Sequence, residues 1–211
     1  MLKRMQNPQK GASLIEVLVA ILILSIGMLG MAGLQAATAK FQQGSRVKGA
    51  IAVLLSDITS RVRSNPDMTG NNAVTGATSV SAYALDATWN TLQAATLTVS
   101  TDCETGSTTC TTAERATYDM TSWRQRVRAS MPGGAALLTG DRATGFTVTF
   151  MWFDKENTTK GQAIDTALSA AQVCTTTAEV AGINRMSQQN CCPASADVPA
   201  GVRCARYGFT P

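Results

Sequence analysis

The sequence predicts an α+β protein: one long N-terminal helix, half of it membrane-spanning and half amphipathic, followed by a disulfide-stapled head that contains β-structure. Three observations carry this. No residue from Val17 to Ala39 is charged. Apolar residues then continue at helical spacing as far as Val62. Beyond them lie an alternating, aromatic-rich run, Gly145–Phe153, and 6 cysteines.

A chain of 211 residues suits one anchor and one globular domain. The formal net charge of +4 is unevenly placed. Lys3, Arg4 and Lys10 precede the apolar run, whereas acidic and basic residues nearly cancel beyond Leu34. A nucleic-acid binder would concentrate positive charge in its folded domain. Histidine is absent, which removes Ser-His-Asp and Cys-His catalysis and every His-containing zinc site. Cys103, Cys110, Cys174, Cys191, Cys192 and Cys204 all follow the apolar run. An even number confined to an exported region reads as disulfides, and no Cys-x-x-Cys pair suggests a metal. Neither a metal nor a cofactor is expected.

The 23 residues from Val17 to Ala39 reach ~34 Å at ~1.5 Å per residue, enough for a bilayer core of ~30 Å. The basic residues before them place the N-terminus in the cytoplasm and the head outside. The run is too long for a secretory signal peptide. Glu16 sits at its start. A charge deep in the bilayer costs ~2.5–3.5 kcal/mol and marks function, although a carboxylate near the interface can also snorkel. Gly27, Gly30 and Gly33 could let neighbouring helices approach closely, or reflect the ordinary frequency of glycine in membrane helices.

Lys10-Gly11-Ala12-Ser13-Leu14-Ile15-Glu16-Val17-Leu18 resembles the class III leader junction of type IV pilins and pseudopilins. The resemblance implies a type IV pilin-like fold with an antiparallel β-sheet head. It implies that a prepilin peptidase cuts between Gly11 and Ala12 on the cytoplasmic face and N-methylates Ala12, where the family usually carries phenylalanine. Glu16 then matches the family's glutamate, which pairs with the N-terminus of a neighbouring subunit. A buried carboxylate and a buried ammonium are each costly alone and tolerable together. Residues 1–11 become a cleaved leader, 12–39 the membrane and filament-core half of the helix, and 40–211 the exported head, which includes helix 40–64.

The elements of the head follow in order. Val47, Ile51, Leu54, Leu55, Ile58 and Val62 form one face of a helix that Asn65-Pro66 ends, giving one helix from Ala12 to Ser64. Residues 67–82 read as a loop. The β-branched alternation of Ala94–Ser100 predicts a strand. Cys103 and Cys110 enclose a short polar loop suited to a disulfide. Asp102 or the Thr111-Thr112 pair could cap the helix that follows, with Glu114 in its first turn. Tyr118, Trp123 and Val127 are expected to share its apolar side. Arg124 and Arg128 lie on one face with Arg126 turned away. This raises DNA contact, but solvated arginines are the common case and no specific nucleic-acid contact is predicted.

Met131-Pro132-Gly133-Gly134 stops that helix. In the strand 145–153, Phe146, Val148, Phe150 and Trp152 point one way, and Thr147, Thr149, Met151 and Phe153 the other. Asp154–Lys160 reads as a turn, with an Asn157-Thr158-Thr159 sequon in form only. The tail reads as loop-rich. Adjacent Cys191 and Cys192 are expected to bond different partners, Cys174 and Cys204, in an order left open, beside Cys103–Cys110.

Asp102-Cys103, Cys110, Tyr118-Asp119-Met120-Thr121-Ser122-Trp123 and Met131-Pro132-Gly133-Gly134 also resemble PilV-type minor pilins. That resemblance implies a non-enzymatic subunit that helps start pilus assembly, and so serves twitching motility, adhesion or DNA uptake. The implied partners are major and minor pilins, the prepilin peptidase, the inner-membrane assembly platform, and the inner membrane itself before the chain enters a surface pilus. A type II secretion pseudopilin and a single-pass anchor holding a periplasmic binding domain are the alternatives. An exported enzyme would need a carboxylate pair or a Ser-Lys arrangement that no spacing proposes.

Overall fold

The computed structural model describes residues 13–70, 81–105, 109–154, 168–174 and 189–211. The expected cleavage junction Gly11-Ala12, most of the loop 67–82, and the turn and sequon at 155–160 lie outside the described residues.

Helix α1 spans Leu14–Ser64. The chain divides into two units, one through Arg46 and one Val47–Pro211. In the first, the described apolar side chains from Leu14 to Leu34 are all exposed. Mean hydropathy reaches 2.6 in its most apolar window. The helix is therefore long and apolar enough to cross a membrane.

The second unit is the head. It contains α2 (Trp89–Ala94), α3 (Thr112–Ser130), β1 (Ala135–Asp141), β2 (Gly145–Phe153) and β3 (Val202–Phe209), with a 3-10 turn at Pro66–Met68 and another at Ala194–Ala196. The three strands form one antiparallel sheet in the order β1-β2-β3. In register, Leu138 faces Val148 across β1 and β2, and Phe150 faces Ala205 across β2 and β3. Gly140, at φ +106, makes the tight hairpin possible: a Cβ there would sit 2.1 Å from the Gly145 carbonyl oxygen. The long helix on an antiparallel sheet, with disulfides, is a type IV pilin-like α+β fold.

Both faces of the sheet are covered, because strand side chains alternate and both sets are apolar. Ala136, Leu138, Phe146, Val148, Phe150 and Ala205 meet the stripe of α1 and the inner face of α3. In that stripe Val47, Ile51, Leu54, Ile58 and Val62 are buried, with Leu55 partly so. On the opposite face, Ala135, Leu137, Met151, Val202 and Cys204 pack under Trp89, Leu92, Cys192 and Ala196. The tail is thus not merely loop: it supplies the edge strand β3 and roofs the second face.

Two readings of the head need correction. Ala94–Ser100 forms no strand. Thr88 caps α2 by accepting the Thr91 N–H, and Ala95–Val99 continues without regular structure. It joins no ladder; the outer side of β1 is met instead by Leu85, in an isolated antiparallel bridge to Leu138. Tyr118 does not share the apolar side of α3. That side is Ala116, Asp119, Met120, Trp123 and Val127. Tyr118 is five residues from Trp123, which at 3.6 residues per turn is roughly 140° around the helix.

All six cysteines are paired, as Cys103–Cys110, Cys174–Cys191 and Cys192–Cys204.

Candidate functional site

The first region of interest is the start of α1. Ser13 begins the helix: its carbonyl accepts the N–H of Glu16 at 2.9 Å and that of Val17 at 3.3 Å. The Glu16 side chain turns back, and its Oε2 accepts the Ser13 N–H at 2.9 Å. This is the returning half of a capping box, Ser-x-x-Glu. It also places a carboxylate at the positive end of the helix dipole. Farther along, Ser25 and Thr38 donate their hydroxyls to the carbonyls of Ile21 and Gln35. Two polar side chains of the apolar half are thereby satisfied within the helix, as a segment without access to water requires.

The second region is a polar lock between α1 and α3 in the head. Arg61 donates to Asp57 Oδ1 at 2.9 Å, to Asp119 Oδ1 at 2.6 Å and to Glu104 Oε1 at 3.1 Å. The Arg61 and Asp119 side chains are 11% and 4% exposed. Burial alone would pull the Arg61 pKa down. The hydrogen bonds and fields of Asp57 and Asp119 outweigh it and hold the pKa above its ordinary value. The other Asp119 oxygen accepts the Tyr83 hydroxyl at 2.9 Å. Burial first, and the charge of Asp119 next, raise the Tyr83 pKa. Asn65 donates to the Tyr83 oxygen at 3.1 Å and to the Thr112 carbonyl at 2.8 Å, tying the end of α1 to the start of α3. One turn beyond Asp119, fully buried Trp123 donates its indole N–H to the Leu54 carbonyl at 2.9 Å.

The Tyr-Asp-x-x-x-Trp pattern therefore works as two bolts, Asp119 and Trp123, holding α3 to α1. The arginines of α3 are structural as well. Arg126 pairs with Asp57 at 3.0 Å. Arg128 donates to the Leu92 and Gln93 carbonyls at the end of α2. Burial, then the adjacent Arg128, lowers the pKa of Arg124.

Thr111 is the N-cap of α3 and completes a capping box with Glu114. Asp102 instead holds the disulfide loop, accepting the Glu104 N–H at 2.9 Å and the Thr105 hydroxyl at 2.6 Å. Those bonds keep its carboxyl below the ordinary range. Among the described residues no cluster of three or more Cys, Asp or Glu could hold a metal. The sequence reading does not single out Arg61, Asp57 or Tyr83, and gives Asn65 only as the end of the helix with Pro66. The available signal was Asp57-x-x-x-Arg61 at an i,i+4 spacing beside an apolar stripe.

Residues 6–32 match the family model of the prokaryotic N-terminal methylation motif. The comparisons with curated proteins and with solved structures returned no match. The matched segment includes Gly11, Ala12 and Glu16. It supports a class III prepilin leader, and with it a type IV pilin or pseudopilin anchored through an apolar N-terminal helix. Such a motif implies processing by a prepilin peptidase and assembly with pilins, and it suggests a structural protein rather than an enzyme.

Proposed function

We propose that the chain is a minor pilin of a bacterial type IV pilus, of the PilV type. Residues 1–11 are removed between Gly11 and Ala12, Ala12 is methylated, and the helix through Ala39 leaves the inner membrane for the filament core. The head, residues 40–211, lies in the periplasm before assembly and at the cell surface in the pilus. There it contributes to initiating or tipping the filament, and so to twitching motility, adhesion or DNA uptake.

The observation that carries this reading is Glu16. It is the only charged residue between Lys10 and Lys40, and it lies five residues beyond Gly11 in the matched motif. Before assembly one of its oxygens is occupied by its own Ser13 N–H. A neighbour's ammonium would supply what that N–H lacks, a full opposite charge in a medium where an isolated carboxylate costs several kcal/mol.

The test is co-expression with a prepilin peptidase and mass measurement of the product. Loss of residues 1–11 with one methyl on Ala12 is the expected result. An intact Met1, or cleavage near Ala39, refutes the reading. Glu16→Ala should be processed normally yet be depleted from sheared filaments. Incorporation at the wild-type level would refute the pairing.

A further inference from the structure

The three disulfides sit in three different environments. Cys192 and Cys204 are buried in the apolar cluster on the second face of the sheet. Cys103–Cys110 lies in the loop of Asp102 and Glu104, where Arg115 Nη2 reaches the Cys103 carbonyl at 3.4 Å and Arg61 bonds Glu104 at 3.1 Å, so charges of both signs surround it. Cys174–Cys191 lies beneath a guanidinium: Arg206 of β3 places Nη1 3.4 Å from Cys174 Sγ and 3.8 Å from Cys191 Sγ. The Arg206 Nε is buried and has no partner, and no carboxylate pairs with Arg206 among the described residues.

A disulfide sulfur is a weak acceptor, whereas a thiolate is a full anion. The Arg206 charge therefore interacts more strongly with the products of cleavage than with the intact bond. We propose that Cys174–Cys191 is the exchange-labile disulfide of the head, activated by Arg206 toward reduction by dithiols. Cys191 is 4% exposed and Cys174 is more open. Attack therefore falls on Cys174 Sγ. One thiolate of the dithiol forms a mixed disulfide there, the protein S–S bond breaks, and Cys191 leaves as a thiolate beside Arg206. The second sulfur of the dithiol displaces the Cys174 thiolate. The reagent ends as its own disulfide, and its two protons end on Cys174 and Cys191.

The test uses the full chain in detergent micelles, timed dithiothreitol exposure, alkylation and peptide mapping. Cys174–Cys191 should open before Cys192–Cys204. Arg206→Gln removes the positive charge and so raises the pKa of the leaving thiol; it should slow that opening by about threefold for each pKa unit gained, if the leaving-group slope matches in size the ~0.5 of an attacking thiol. Arg206→Lys should retain most of the rate. Opening of Arg206→Gln at the wild-type rate overturns the proposal. A measurement on the wild type alone avoids dependence on variant folding. An anionic thiol such as mercaptoethanesulfonate, relative to cationic cysteamine, should favour Cys174–Cys191 over Cys192–Cys204, which lies in an apolar cluster. An equal or inverted preference also overturns it.

Discussion

Replacing Asp119 with alanine removes both acceptors at the centre of the polar lock. Arg61 loses its 2.6 Å bond but keeps Asp57 and Glu104. The buried Tyr83 hydroxyl loses its acceptor at 2.9 Å and keeps only the Arg61 carbonyl, at 3.5 Å. A hydrogen bond to a charged group contributes ~1.5–3 kcal/mol, and an orphaned buried donor costs ~1–3 kcal/mol. Together they predict a loss of ~2.5–6 kcal/mol, which spans the ~3–5 kcal/mol for breaking a buried ion pair. Glu104 provides the contrast. It bonds the same guanidinium at 3.1 Å, but its side chain is 51% exposed. Glu104→Ala should therefore cost only ~0–1 kcal/mol. Urea unfolding of the full chain in micelles, followed by tryptophan fluorescence, measures both. For a head of this size the Asp119 variant should melt roughly 10 °C lower. Equal losses for the two variants would refute the argument that burial, rather than the mere presence of an ion pair, decides the energy.

Trp123→Phe keeps much of the packing against Phe150 but leaves the Leu54 carbonyl without the indole donor, and should cost about 1–3 kcal/mol in the same melt. The raised folded pKa of Tyr83 means that its contribution is complete below its unfolded value, near 10, and is lost as pH rises through the folded value. Absorbance of phenolate at 295 nm should show one tyrosine of the head ionising only with unfolding, and Tyr83→Phe should remove that step. Breaking Cys192–Cys204, with a sequence separation of 12, should cost ~2.8 kcal/mol, against ~2.4 kcal/mol for Cys103–Cys110 with a separation of 7. Chemical denaturation of the Ser-for-Cys double variants compares them.

What could be read from the chain depended on how local each signal was. The capping box of α3 lies within Thr111–Glu114, and the stripe of α1 repeats every three or four residues. Strand β2 alternates strongly because aromatic and threonine residues share it. In contrast β1, Ala135-Ala136-Leu137-Leu138, is buried on both faces, so alternation vanishes. Strand β3 carries Arg203, Arg206 and Gly208 around a single cysteine, Cys204, and so reads as loop. Ala94–Ser100 has the pattern of a strand yet pairs with neither edge of the sheet, and a pattern cannot supply a partner.

The amino-acid sequence by itself determined the basic residues ahead of the apolar run, the charge-free helix with Glu16 at its start, the amphipathic continuation, and the existence of helix α3. Each depends on residues within a turn or two of one another. Only the tertiary structure decided that Asp119 and Trp123 bolt α3 to α1, that Cys174 takes Cys191 while Cys192 takes Cys204, and that Arg206 lies over the former bond. Arg61 and Asp119 are 58 residues apart, and Arg206 and Cys174 are 32 apart. Contacts at that range are chosen by how the sheet faces are filled, because a side chain's partner is set by the packing of the elements rather than by its neighbours in the chain.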